Sequence, residues 1–211
     1  MQACRKRGAA DFPLIIFRYL QCYQLLSLFN RFEGVHTLKR YTMRKIILNV
    51  AVSLDGFIEG PNGEYDWCFT DGDYGMTEFL ASTDAIFFGR KSYELFTTSF
   101  SEMWGDKKHY VFSNTLQNLQ TNAVLISGDI ETKILELKKE EGKDIWLFGG
   151  ASLASSLLKA GLIDEFLLAI HPVILGKGKA LFNGIDKRNW LKLTQCKTFE
   201  NGLVQNRYSI V

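Results

Sequence analysis

The sequence has 211 residues, of which 46% are hydrophobic and 23% charged. This length fits one or two domains, and the composition is that of an ordinary globular protein, which excludes fibrous and low-complexity classes. The formal net charge of +2 is unevenly distributed, because residues 1–42 carry seven Lys or Arg against Asp11 and Glu33. The remainder is mildly acidic and gives no electrostatic reason to expect nucleic acid as a partner.

Residues 1–42 differ in character from the rest of the chain. Their apolar runs are interrupted by Arg18, Gln21 and Gln24, and they fall short of the roughly 18 residues that a transmembrane helix needs. Arg18 also breaks any signal-peptide core. We expect no membrane segment, and we interpret residues 1–42 as a poorly ordered or wrongly assigned extension before a folded domain of residues 43–211. An organelle transit peptide or a basic surface anchor is the alternative interpretation.

The four cysteines show neither a metal-binding nor a disulfide pattern. They stand at positions 4, 22, 68 and 196, without a Cys-x-x-Cys or Cys/His ligand spacing. We therefore predict no metal site and a reducing compartment, the cytoplasm.

From Met43 onward, short apolar runs alternate with segments of helical periodicity, the pattern of an α/β fold with a mainly parallel sheet. The predicted strands are residues 45–52, 85–88, 109–113, 123–126, 144–148 and 165–171. The predicted helices are residues 73–82, a segment ending near Thr97, the stretch around 130–137 capped by Asp129, and residues 151–160.

Two further apolar runs close the chain, residues 190–199 and 203–210, and they flank Asn201-Gly202. Asn-Gly supplies the two positive φ angles of a type I′ turn, so this pair predicts an antiparallel hairpin of that type. The whole pattern predicts a three-layer α/β/α sandwich whose mainly parallel sheet ends in a C-terminal antiparallel hairpin.

The stretch from Asp144 to Gly161 predicts a strand, a tight glycine turn at Gly149-Gly150 and a helix. A helix N-terminus presents unpaired N–H groups and a positive dipole, and glycines let an anion approach the backbone closely. No Asp or Glu occurs between Asp144 and Asp164 to compete for that end. The pattern indicates a phosphate or pyrophosphate site, although a sharp strand-to-helix turn without any ligand is the simpler interpretation.

Two other strand ends carry groups suited to phosphate. Gly89-Arg90-Lys91-Ser92 adds a guanidinium, an ammonium and a hydroxyl, and Ser113-Asn114 offers hydroxyl and amide donors. Each segment taken alone is equally consistent with a solvated loop. Three such loops at strand ends favour one shared site, because open α/β sheets bind ligands at the carboxyl ends of their strands. The chain has no Gly-x-Gly-x-x-Gly, which argues against a standard Rossmann domain.

Several motifs together are typical of one family. They are Ser53-Leu54-Asp55-Gly56, Phe88-Gly89-Arg90-Lys91-Ser92-Tyr93-Glu94, Leu147-Phe148-Gly149-Gly150-Ala151, Ile163-Asp164-Glu165 and Pro172-Val173-Ile174-Leu175-Gly176-Lys177-Gly178. Through them residues 43–211 resemble the dihydrofolate reductase superfamily, in particular stand-alone proteins similar to the reductase (C-terminal) domain of the bifunctional riboflavin-biosynthesis deaminase-reductase.

The resemblance implies NADPH as cofactor, and often a homodimer. In the family's pattern Phe148, Gly149 and Gly150, with the N–H groups of Ala151, Ser152 and Leu153, match the pyrophosphate turn. Gly89, Arg90, Lys91 and Ser92 match the second phosphate loop, Ser113 and Asn114 match the site of the 2′-phosphate, and Ala51 and Val52 would lie near the nicotinamide.

The resemblance also implies an acid at the substrate end. In dihydrofolate reductases a carboxylate on the first helix directs a proton to the heterocycle, and Asp73 stands sixteen residues before Gly89, the spacing of that acid. Glu78, one helical turn on, competes with Asp73, and Asp55 is a third candidate; Glu78, Asp55 and Trp67 are the predicted substrate-binding residues. An N-cap role is the alternative for Asp73.

The function expected from the resemblance is an NADPH-dependent reduction of a pyrimidine or pteridine heterocycle. The aminouracil reductase reaction of riboflavin biosynthesis comes first and dihydrofolate second, with a non-catalytic dinucleotide-binding protein as the contrasting alternative. The chain has no His-x-Glu…Pro-Cys-x-x-Cys zinc deaminase motif. It also shows no recognisable arginine cluster for a ribose-phosphate, so its substrate can differ from that of the riboflavin enzymes.

Overall fold

The structure, a computed structural model, describes residues 43–99, 104, 106–120 and 122–211. The predicted extension, residues 1–42, lies outside the described residues. The elements follow one another in the order β1 Ile46–Ser53, β2 Phe57–Glu59, α1 Met76–Ala81, β3 Thr83–Gly89, α2 Arg90–Ser99, β4 Lys108–Phe112, β5 Ala123–Ile126, α3 Ile130–Lys139, β6 Asp144–Gly149, α4 Ala151–Lys159, β7 Glu165–His171, β8 Lys179–Ala180, β9 Leu191–Thr198 and β10 Val204–Ile210.

Eight of the strands form one sheet in the order β5-β4-β3-β6-β1-β7-β10-β9. The pairs from β5 to β7 are parallel, and β10 pairs antiparallel with both β7 and β9. This topology confirms the predicted mainly parallel sheet with a C-terminal antiparallel hairpin. A second sheet of two strands, β2 and β8, was not predicted, because two or three residues give no periodicity to detect.

Each face of the central sheet carries its own hydrophobic core, because successive side chains of a strand point to opposite faces. Ile46 and Leu48 pack with residues of α3 and α4 on one face. Ile47 and Trp146 pack with residues of α1 and α2 on the other face. The three predicted layers are therefore present, and the continuous apolar runs of the sequence reflect burial on both faces.

Two local predictions were wrong in detail. A type I′ turn needs a positive φ at both Asn201 and Gly202. Gly202 has φ 87°, but Asn201 does not have a positive φ, so the hairpin turn is not type I′. The Gly202 amide donates to the Phe199 carbonyl, which fits a type I turn followed by a left-handed glycine. Helix α1 begins at Met76 instead of Asp73, since Tyr74 and Gly75 have φ of 48° and 80° and neither is helical.

Candidate functional site

The three loops predicted to bind phosphate meet at one edge of the sheet. They follow β4, β3 and β6, which are neighbours in the sheet order, so their carboxyl ends lie side by side. Together they line a cavity of about 450 Å³, here called the loop cavity. Of the predicted cofactor-binding residues its wall contains Gly89, Arg90, Lys91, Ser92, Ser113, Asn114, Gly150, Ala151, Ser152 and Leu153.

The glycine turn is shaped by its backbone. Gly149 has φ 116°, a conformation that residues with a Cβ rarely adopt. Helix α4 then begins after Gly150 with no side-chain cap and no acidic residue in its first turn. Because the first N–H groups of a helix have no partner within it, this end can receive an anion.

A hydrogen bond ties the glycine turn to the second phosphate loop. The Gly150 amide donates to the Ser92 hydroxyl at 2.9 Å. Arg90 forms a half-exposed ion pair with Glu94 one turn along α2, with 2.9 Å between Nη1 and Oε1. The Ser113 hydroxyl oxygen accepts from the amides of Thr115 and Leu116, which leaves its O–H hydrogen to donate to a ligand.

A second cavity of about 540 Å³ adjoins the first and is called the ring cavity here. Lys91, Ser92, Gly150, Ala151 and Lys179 line both cavities, so the two form one continuous cleft. The ring cavity also includes the predicted residues Ala51, Phe148, Gly149 and Asp73. Its aromatic wall consists of Tyr65, Phe69, Tyr74, Trp104, Trp146 and Phe148.

Two alanines form part of the ring cavity's floor. Ala51 of β1 pairs with Ala169 of β7, and Ala169 pairs with Gln205 of β10, so the three lie in one row across the sheet. All three line the cavity. The small alanine side chains leave room for a ring in a cavity that aromatic side chains also line.

Asp73 lies at the mouth of the ring cavity, but its carboxylate also holds the first turn of α1. It accepts hydrogen bonds from the Thr77 amide at 2.9 Å, from the Thr77 hydroxyl and from the Gly75 amide. These bonds, with that of the Thr77 hydroxyl first, lower the pKa of Asp73. The carboxylate is therefore ionised near neutral pH. Its bond from the Thr77 amide also matches the alternative prediction for Asp73, a helix-capping role.

The structure does not bring the three predicted substrate-binding residues into either cavity. Asp55 accepts hydrogen bonds from the Ser53 hydroxyl and from the amides of Leu175 and Gly176, so it connects two loops. Its pKa is lowered chiefly by the Ser53 hydroxyl. Glu78 is 85% exposed and faces Lys197 at 3.7 Å.

Trp67 and Val52 also lie beside the cleft instead of in its walls. The Trp67 ring contacts His171 edge-on, with 5.3 Å between centroids. Val52, predicted near the nicotinamide, is 5% exposed and belongs to the core on the other face of the sheet. Alternation along β1 explains this, because Ala51 and Val52 must point in opposite directions.

His171, at the end of β7, lines the ring cavity and was missed in the sequence. Its Nε2 accepts from the Phe69 amide at 3.1 Å, and its Nδ1 lies 3.0 Å from the Ala169 carbonyl. These contacts require a neutral ring with its proton on Nδ1, and burial lowers the pKa of His171. The ring is thus a fixed, uncharged part of the wall.

Other residues of the cleft were also not predicted from the sequence. Ser127 and Gly128 follow β5 and line the loop cavity, and the Ser-Gly pair after a strand was the available signal. Lys179 of β8 pairs with Glu59 of β2 at 2.9 Å; nothing in the sequence joins residues so far apart. Cys68 lines the ring cavity, but burial raises the pKa of its thiol to about 11, so it remains a neutral thiol.

The described residues contain no cluster of three or more His, Cys, Asp or Glu side chains arranged to hold a metal ion. In the same part of the chain no helix has the length and hydropathy needed to cross a membrane.

Comparison with known families identifies the class of protein. A model of the RibD C-terminal domain matches residues 44–205. The chain therefore belongs to the RibD C-terminal domain family, which confirms the predicted resemblance to the reductase domain of the riboflavin-biosynthesis enzyme.

Individual relatives agree with that assignment. The chain is 47% identical over 177 residues to the uncharacterized protein YyaP of Bacillus subtilis, a match covering 78% of this chain and 94% of YyaP. It is 36% identical over 62 residues to the riboflavin biosynthesis protein RibD of Escherichia coli, which covers 28% of this chain and 17% of RibD.

Solved structures share the fold. A riboflavin biosynthesis protein from Shewanella superposes with a TM-score of 0.71 at 23% identity, covering 79% of this chain and 99% of its own. Dihydrofolate reductase from Enterococcus faecalis, complexed with NADP(H), gives a TM-score of 0.59 at 15% identity, covering 79% and 96%. These similarities establish a dihydrofolate-reductase-like fold.

Proposed function

We propose that the protein is an NADPH-dependent reductase of a pyrimidine- or pteridine-type heterocycle. One observation carries the proposal: a continuous cleft joins three loops suited to phosphate with an aromatic cavity suited to a flat ring. A dinucleotide with charged phosphates and a planar reacting ring matches both halves. The family and the complex of the Enterococcus enzyme with NADP(H) support the same cofactor.

Different residues of the cleft would bind different parts of the dinucleotide. The N–H groups at the N-terminus of α4 would hold the pyrophosphate, and Arg90 and Ser113 would hold the 2′-phosphate that distinguishes NADPH from NADH. Ala51 would leave room for the nicotinamide beside Ala169. When bound, NADPH supplies the hydride; the protein orients the two rings and keeps water from them.

The reaction proposed is most like that of 5-amino-6-(5-phosphoribosylamino)uracil reductases of riboflavin biosynthesis. A deaminase and 5-amino-6-(5-phosphoribosylamino)uracil reductase from Thermotoga maritima shares the fold, with a TM-score of 0.62 at 15% identity. Dihydrofolate is the second candidate substrate, supported by the acidic Asp73 at the mouth of an aromatic cavity. Because the pKa of Asp73 is lowered, its role would be to orient a water or a ring N–H instead of donating its own proton at neutral pH.

A direct experiment separates this enzyme from a non-catalytic dinucleotide-binding protein. NADPH oxidation is followed at 340 nm, the band of the reduced nicotinamide, against a panel of aminouracils, pterins and dihydrofolate. Turnover with one class supports the reductase, whereas NADPH binding without turnover of any compound supports the non-catalytic alternative.

We also propose that the working form is a cytoplasmic homodimer built on the C-terminal hairpin. Strand β9 lies at one edge of the sheet, with Leu193 51% exposed, and an edge strand presents unpaired backbone groups that a partner can cover. Light scattering should give twice the mass of one chain, and Leu193→Glu should halve it. Leu125→Glu on β5, the opposite edge, is the matched control; a monomeric wild-type protein would contradict the proposal.

A further inference from the structure

The loop cavity and the ring cavity meet at the residues that line both of them. Four of these residues belong to the two phosphate loops, Lys91, Ser92, Gly150 and Ala151, and the fifth is Lys179 of β8. We call these five residues the neck. A ligand that extends from the loop cavity into the ring cavity has to pass them. The neck therefore faces the part of the ligand that joins its two ends.

Lys179 is held at the neck by the small sheet of β2 and β8. It pairs with Glu59 across the two strands, and its Nζ lies 2.9 Å from Glu59 Oε1. Gly178, the preceding residue, has φ 152°, and a Cβ there would lie 2.2 Å from the Glu59 carbonyl oxygen. Since only a glycine allows the backbones to approach so closely, the backbone fixes the position of Lys179.

The ion pair leaves the ammonium of Lys179 able to bind a further anion. An ammonium has three N–H donors, and one of them donates to Glu59. The two side chains are 36% and 35% exposed, so a ligand in the cleft can reach them. An ion pair this exposed contributes little to folding, and removing its charges should leave the fold intact.

The charges around the neck match the middle of a dinucleotide. Gly150 and Ala151 belong to the start of α4, whose N-terminus is positive and has no acidic residue in its first turn. The carboxylate of Glu59 lies on the other side of Lys179's pair, and of the two cavities Glu59 lines only the ring cavity. A pyrophosphate therefore suits the neck, whereas the uncharged nicotinamide of a reduced cofactor suits the ring cavity.

Resting on the proposed reductase function, we propose that Lys179 is a further cofactor-binding residue, which contacts the pyrophosphate at the neck. The pyrophosphate is then bound by two distant parts of the chain, the N–H groups of α4 and the ammonium of Lys179. Glu59 keeps that ammonium at the neck and competes with the pyrophosphate for it.

Replacing the ammonium tests the contact. Lys179→Met keeps an unbranched side chain and removes the charge, so it should weaken binding of NADPH and NADH about tenfold each in titration calorimetry. The two factors should be equal, because both cofactors have the pyrophosphate and only NADPH has the 2′-phosphate. Lys177→Met, on the same segment but lining neither cavity, is the matched control and should change neither affinity.

Glu59→Gln separates cofactor binding from a structural role of the ion pair. This variant should bind both cofactors about threefold more tightly, because the ammonium loses a competing carboxylate. If the pair only stabilised β2 and β8, loss of either partner would weaken binding. Weaker binding in Glu59→Gln, like that in Lys179→Met, would therefore overturn the proposal.

Acetylation of the wild-type protein tests the same contact without a variant. Lysines are acetylated with and without saturating NADPH, and the modified fractions of Lys179 and Lys177 are measured by mass spectrometry. NADPH should protect Lys179 and leave Lys177 unchanged. Equal acetylation of Lys179 in both samples would overturn the proposal, even if Lys179→Met does not fold.

The outcomes separate this inference from the function on which it rests. Unchanged affinities in Lys179→Met, or a loss confined to NADPH, would overturn the inference while the reductase proposal stands. Failure of the wild-type protein to bind either NADPH or NADH would overturn both.

Discussion

Ser92 and Gly150 are joined by a hydrogen bond of 2.9 Å across two loops that are 58 residues apart in the chain. The bond connects the start of α2 with the start of α4, so that both helix N-termini face the loop cavity. The contact is close, because a Cβ on Gly150 would lie 3.2 Å from the Ser92 hydroxyl oxygen. The relative position of the two phosphate loops therefore depends on this pair.

Removing the hydroxyl should loosen the cofactor end of the cleft. Ser92→Ala is expected to weaken NADPH binding by about 0.5–1.5 kcal/mol, the net worth of a typical hydrogen bond, as measured by titration calorimetry. Ser155→Ala on α4 is the matched control, because the Ser155 hydroxyl is buried without a partner among the described residues. Unchanged affinity in Ser92→Ala would mean that the two loops are held together by other contacts.

Arg90 is expected to distinguish NADPH from NADH. Arg90→Ala should weaken NADPH binding by about 1.5–3 kcal/mol, the range of charge-assisted hydrogen bonds, and should change NADH binding much less. Glu94→Gln is the control, since it removes only an exposed ion pair, which is worth at most about 1 kcal/mol. Equal losses for the two cofactors would assign Arg90 to the pyrophosphate or to a structural role.

Asp73 is expected to direct the proton chemistry. Asp73→Asn should keep the fold and the NADPH affinity, because Asn caps a helix about as well as Asp, but it should lower turnover about 10²–10⁴-fold. Glu78→Gln is the control, as Glu78 lies outside the cavity and is largely exposed. If Glu78→Gln abolishes turnover and Asp73→Asn does not, the acid is assigned to the wrong residue.

Two buried histidines should make the protein sensitive to acid. Burial lowers the pKa of both His109 and His171 below the ordinary 6.5, so the unfolded chain takes up their protons first. The free energy of unfolding is therefore unaffected by these histidines above about pH 6.5, and it decreases as the pH falls below that value. Denaturant unfolding from pH 7.5 to 4.5 should show this decline.

The slope of that decline identifies its source. In His109→Phe the fall in unfolding free energy with decreasing pH should be shallower than in the wild-type protein, whatever the variant's absolute stability. His109 is fully buried and contacts the rings of Phe88 and Phe96. A phenylalanine ring at this position can replace the imidazole in that aromatic cluster. An unchanged slope would show that this histidine does not set the acid sensitivity.

The sheet and the loop cavity could be predicted from the sequence, because both depend on local patterns of residues. The apolar runs of β1, β3 and β6 are continuous, and turn residues follow β3, β4 and β6 directly. Parallel neighbouring strands end at one edge of the sheet. Because β4, β3 and β6 are neighbours, the loops that follow them lie together. The reaction class came from the family resemblance.

The ring cavity depends on pairings that no local pattern contains. The row of Ala51, Ala169 and Gln205 joins β1 to β7 and β7 to β10, and β1 and β7 are far apart in the chain. The false start of α1 has a similar cause, because the positive φ of Tyr74 arises where the loop meets the C-terminal hairpin. Asn201 and Gln205 both donate hydrogen bonds to Tyr74 there.

Calorimetric titration of NADPH and NADH into the purified protein tests the central claim most directly. The account predicts one NADPH bound per chain with NADH binding at least about tenfold weaker, the effect of losing one charge-assisted contact. Absence of heat or saturation with NADPH up to millimolar concentration, or equal affinity for the two cofactors, would contradict it.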